Sequence, residues 1–104
     1  MMNQSHSDLW AGLKAAEREY DAACLKEQRL EACDGAGSGS VRLAAASARA
    51  AAIEARMTAI VGAMCRRRVA TTADLHALAR LSLARPYDRR VTDALASAVL
   101  APEG

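Results

Sequence analysis

Two stretches of equal length, LWAGLKAAEREYDAACLKEQRL at residues 9–30 and LAAASARAAAIEARMTAIVGAM at residues 43–64, decide the fold. In the first, Leu9, Leu13, Ala16, Tyr20, Ala23, Glu27 and Leu30 recur by alternating steps of four and three. In the second, Leu43, Ala46, Ala50, Ile53, Met57, Ile60 and Met64 recur by threes and fours. Such spacing lays a stripe along one face of a helix. Reversing the chain between Gly35 and Gly39 sets Leu30 against Leu43, Tyr20 against Ile53 and Leu9 against Met64, and every pair sums to the same residue number. A constant sum is the register of an antiparallel coiled-coil hairpin.

Working outward, Ser5 and Ser7 are both good N-caps for the first helix, and Ser5 with Asp8 resembles a capping box. That helix is expected over 5–33. Glu17, Glu19 and Asp21 with Lys14, Arg18 and Lys26 form its solvated flanks. The Gly/Ser segment 34–40 is the turn, with Ser40 as the cap of a second helix over 41–65. Small residues pair near this turn, Ala23 opposite Ala50 and Glu27 opposite Ala46, whereas Trp10, Leu13, Ile60, Val61 and Met64 crowd the open end. Apolar surface there needs cover. Thr71 or Thr72 starts a third helix over 72–84, Asp74 completes a box with Thr71, and Leu75, Leu78, Leu81 and Leu83 are its apolar residues. Pro86 forbids continuation. Asp88 caps a fourth helix over 88–100, with the stripe Val91, Leu95, Ala98 and Val99, and 101–104 is a frayed end. The expected fold is all-α, a single helical domain over 1–104: a long hairpin with two shorter helices packed near its open end.

Composition agrees with this reading. Alanine makes up a quarter of the 104 residues and phenylalanine is absent, which favours helices and leaves a thin core. The net charge is plus two. It is unevenly spread: residues 1–65 hold seven Lys or Arg against eight acids, and 66–104 hold seven Arg against four, a mild asymmetry well short of a dedicated nucleic-acid domain. The polar start from Met1 to Ser7 lacks the apolar core of a signal peptide, and no apolar run reaches the roughly 20 residues that span a membrane. On the helical rise, Cys24 and Cys33 stand about 13 Å apart and Cys65 about 24 Å along the axis from Cys24, too far for an intrachain disulfide. Free thiols imply a reducing compartment, so the expected location is cytoplasmic.

Ala70-Thr71-Thr72-Ala73-Asp74-Leu75 followed by Ala77-Leu78-Ala79-Arg80-Leu81 resembles a group of small alphaproteobacterial helical-hairpin proteins, which carry two long helices, an Ala-Thr-Thr helix cap and a short Ala/Arg/Leu-rich helix. The likeness spans residues 8–84 and departs at Leu78, where that group often has lysine. It implies the hairpin fold and a bacterial source. No activity comes with it.

The chemistry-bearing residues are few. His6 falls in a start expected to be mobile and His76 on the third helix, and neither has a Cys, Asp or Glu at metal-site or triad spacing. The glycines of 35–39 have no Lys-Ser/Thr and no preceding strand, so they form a turn and not a phosphate loop. No cofactor, metal, membrane partner, small-molecule substrate or enzymatic activity is expected. Glu27 is the one polar intruder in the stripe: either a register device or a glutamate reaching past Ala46 toward Arg42 or Arg49. Cys65, just before three arginines, is a candidate for a lowered pKa, although an incidental thiol is the simpler reading.

One feature invites a partner: Arg66, Arg67 and Arg68 with Arg80, Arg85, Arg89 and Arg90. Arginine pairs bidentately with carboxylate or phosphate, while arginines after a helix also complement its dipole. A protein partner is the expectation, with a homodimer through the Ala-rich face of the second helix as one form of it. The alternative is nucleic acid, with the third and fourth helices imitating a helix-turn-helix. Against that alternative stand Pro86 and no glycine in the turn, a long Ala79-to-Val91 spacing and few base-reading side chains. The sequence reads as a small non-enzymatic interaction module, an adaptor or regulator.

Overall fold

The structure, a computed structural model, describes residues 4–34 and 41–100, without the side chains of 33 and 34. The expected turn at Gly35–Gly39, the Ser40 cap, the Cys33 side chain and the end at 101–104 lie outside the described residues. Four helices follow in order: α1 (His6–Asp34), α2 (Val41–Arg66), α3 (Thr72–Ala84) and α4 (Arg89–Leu100). All secondary structure among the described residues is helical, α1 and α2 pack as a hairpin, and α3 and α4 pack against them. The chain falls into two compact units: Lys14–Thr58, and Met1–Leu13 with Ala59–Gly104.

The unit over Lys14–Thr58 is the thin part of the hairpin. Ala16, Ala23, Ala50 and Ile53 are buried together, with Tyr20 and Met57 packed against them. Cross-helix contacts keep the anticipated register: Tyr20 Oη donates to Glu54 Oε2 at 3.0 Å, and Arg56 pairs with Glu19. Glu27 departs from expectation. Its carboxylate accepts from Ser47 Oγ on α2 and not from Arg42 or Arg49, because Ser47 stands one position from Ala46 and needs no long side chain to reach it. Arg49 lies 3.9 Å from Glu19 instead.

The other unit gathers the first turns of α1, the last turns of α2, and both short helices. Leu13, Val61, Met64, Leu78, Leu81 and Val91 are fully buried in it, and each such side chain stabilises by about 1.5–3 kcal/mol. Alanine offers far less, so the larger share of apolar stabilisation lies here. Every helix start is capped by its own sequence where its cap is described. Ser5 and Asp8 exchange hydrogen bonds at 3.1 Å each. Thr71 and Asp74 do likewise, with Asp74 N donating to Thr71 Oγ1 at 3.1 Å. Asp88 Oδ1 accepts from the Arg90 N–H at 3.0 Å. Between α3 and α4, Asp88 N donates to Arg85 O at 3.1 Å across Pro86 and Tyr87, a β-turn with proline where its fixed φ fits.

Two sequence expectations are corrected in this unit. Far from belonging to a mobile start, His6 opens α1 and is wholly buried. Its Nε2 lies 3.0 Å from Met64 O, its backbone N donates to Asp74 Oδ1 at 3.2 Å, and its Nδ1 lies 3.5 Å from the same oxygen. A carbonyl only accepts, so Nε2 carries a proton, and Met64 O is one of the last-turn carbonyls that α2 itself leaves unpaired. The second correction concerns α4. Val91 is buried and Leu95 and Ala98 are half-buried, but Val99 is exposed, as is Leu83 at the end of α3.

Candidate partner-binding groove

An open groove of about 1130 Å³ runs between the end of α2, the connection after it, and α4. One helical wall is Gly62, Cys65 and Arg66, the other Arg90, Asp93, Ala94, Ser97 and Ala98, both at helical spacings of three and four. Val69 of the connection contributes apolar surface between them, and the fully buried Leu78 of α3 lies beneath. Arg67, Arg68 and Ala70 complete the lining. The result is an apolar trough with cations along its edges.

The seven arginines singled out in the sequence do not form one cluster. Arg66, Arg67, Arg68 and Arg90 line the groove, and Arg80, Arg85 and Arg89 do not. Arg80 and Arg89 are exposed on α3 and α4. Arg85 is the C-cap of α3, its backbone N–H donating to Leu81 O at 2.9 Å, and its buried Nε makes no hydrogen bond. Arg90 is partly engaged: its Nη2 lies 3.3 Å from Asp88 Oδ2, which raises its own pKa and holds the Asp88 carboxyl below the usual range. No carboxylate among the described residues pairs with Arg66, Arg67 or Arg68.

Local structure places these charges. Arg66 ends α2, where a cation suits the helix dipole. Its guanidinium folds back over Gly62: a Cβ at that position would stand 3.0 Å from Arg66 Nη1. Glycine at 62 therefore lets the arginine lie along the groove wall. Cys65 departs from the lowered pKa anticipated from its basic neighbours. Burial and the charge of Asp88 push the thiol up and outweigh Arg90 and Arg66, so it stays protonated at neutral pH. Cys24 and Cys65 are free thiols.

Sequence reasoning found the four arginines of this groove but missed the apolar surface they border. The signal was there: 90, 93, 94, 97 and 98 recur at helical spacing. It was hidden by Val91 and Leu95 on the neighbouring face, which took the reading of α4 as a core stripe. Of the two histidines, His76 is exposed on α3. Among the described residues, no group of three or more His, Cys, Asp or Glu is placed to hold a metal ion, and no helix is long and apolar enough to cross a membrane. In comparisons with protein-family models, curated proteins and solved structures, nothing matches this chain.

Proposed function

We propose that this chain is a small non-enzymatic protein-interaction module, an adaptor or regulator, which holds its partner in the arginine-edged groove. The observation that carries the reading is the pairing of an apolar trough with Arg66, Arg67 and Arg68, cations that no carboxylate among the described residues pairs. Apolar surface rimmed by polar groups is what partner proteins bury. A nucleic-acid backbone would engage the arginines but leave Val69, Ala94 and Ala98 without use, and it would meet the carboxylate of Asp93. Residence in the cytoplasm belongs to the same reading and is supported by the free thiols Cys24 and Cys65.

The test is affinity capture from nuclease-treated extract with the wild-type chain beside the triple variant Arg66→Ala, Arg67→Ala, Arg68→Ala. One partner retained by the wild type and lost by the variant supports the module. Retention that vanishes with nuclease, together with oligonucleotide binding that weakens by about one charge of salt slope per phosphate contacted, replaces it with nucleic-acid recognition.

A further inference from the structure

We infer that the groove seats an acidic amphipathic helix of the partner, with small and medium apolar residues facing the trough and carboxylates reaching its arginine edges. This rests on the interaction-module reading and specifies its ligand. Three observations carry it. Both walls are helix faces, Gly62, Cys65 and Arg66 on α2 and Arg90, Asp93, Ala94, Ser97 and Ala98 on α4, and a third helix fits between two helices by packing its ridges into their grooves. The described residues contain no strand edge to which an extended peptide would add, whereas a helix brings its backbone hydrogen bonds already made. The charge balance of the lining is four arginines against Asp93 alone, and among the described residues only Arg90 of the four has a carboxylate paired with it.

Dimensions set the ligand's size. From Arg90 to Ala98, α4 rises about 12 Å, so roughly two turns of partner helix lie in contact. Side chains facing Ala94 and Ala98 have room to approach closely, and a Leu or Met there would meet the half-buried Val69. Carboxylates on the flanks then meet Arg66 and Arg90, both close enough to Cys65 for their charges to act on its thiol. Guanidinium–carboxylate pairing is bidentate and fixes the ligand's rotation.

Binding of two synthetic helical peptides, measured by fluorescence anisotropy on the full chain, tests the inference. Both carry Leu and Ala on one face; one has Glu on the flanks and the other Lys. The Glu peptide is expected to bind and the Lys peptide not to. Asp93→Asn should tighten the Glu peptide by about 2–5-fold, the effect of one exposed like charge. Gly62→Ala should weaken it, because the added methyl displaces the Arg66 guanidinium and fills the wall. That variant also controls for folding, since alanine is the better helix former and only the flexible end of Arg66 must move. Equal binding of both peptides, binding of neither, or Glu-peptide binding indifferent to Gly62→Ala and Asp93→Asn overturns the inference. If it fails while nuclease-resistant capture still depends on Arg66 to Arg68, the interaction-module reading stands with a ligand of other chemistry. If both fail, both fall.

Discussion

At the residue scale, Asp74 carries more of this molecule than any other polar side chain among the described residues. Its carboxylate accepts from the backbone N–H groups of His6 at 3.2 Å, Ala70 at 3.1 Å and Thr71 at 3.2 Å. It thereby fastens the start of α1 and the connection after α2 to the first turn of α3. Replacing it with alanine leaves those donors unpaired in a buried setting and is expected to cost about 2–4 kcal/mol, read as a lowered urea midpoint. His6→Ala keeps the backbone N–H to Asp74 but removes the ring's contacts with Met64 O and the Asp74 carboxylate and empties a wholly buried site, so it too should cost about 2–4 kcal/mol. An Asp74 variant as stable as wild type would remove this residue from the centre of the unit. Gly12 marks the opposite case. A Cβ there would meet only Ile60 Cδ1, at 3.9 Å, an ordinary contact. Gly12→Ala should therefore stabilise by about 0.5–1 kcal/mol through helix propensity alone, and a fall in thermal midpoint would show that the helices are closer there than this geometry says.

At the element scale, the two ends of the hairpin differ in what they bury. Between Lys14 and Thr58 the buried face is mainly alanine, whereas the last turns of α2 bury Val61 and Met64, and α3 buries Leu78 and Leu81. Local opening costs least where least apolar surface is lost. Amide hydrogen exchange should be slowest in 59–66 and 75–81 and faster over 43–53, although all three segments are helical throughout. Leu81→Ala, which empties a fully buried site, should cost about 2–5 kcal/mol and erase the difference between these segments. Uniform protection along α2 would contradict the partition. The boundaries of these helices were legible because their signals are local: Ser5 with Asp8, Thr71 with Asp74, Asp88 and Pro86 each act within four residues. The exposed Leu83 and Val99 were not legible, since hydrophobicity says that a residue can be buried and not that a neighbour arrives to bury it.

For the molecule as a whole, acid is the informative variable. Burial by itself would raise the Asp74 carboxyl. The N–H donors of Ala70 and His6, the Thr71 hydroxyl and the nearby His6 ring outweigh it, so the group titrates below the ordinary range. Asp88 is held down as well, first by its hydrogen bond with the Arg90 side chain. A carboxylate depressed by folding stabilises the native state fully above its unfolded pKa of about 4, and that stabilisation fades as pH falls through the lower folded value. The urea midpoint should therefore hold from pH 7 to about 5 and drop below about 4, and Asp74→Asn should flatten the drop. A midpoint that rises on acidification would reverse the sign of this account. The primary structure alone determined the four helices, the caps of α1, α3 and α4, and the pairing register, because a stripe repeating by threes and fours and a constant pair sum are properties of residue order. Only the tertiary structure decided that His6 is buried on Asp74, that Glu27 meets Ser47, and that four of seven arginines border one apolar groove. Those outcomes depend on which faces meet after residues tens of positions apart are brought together, and no local preference encodes that.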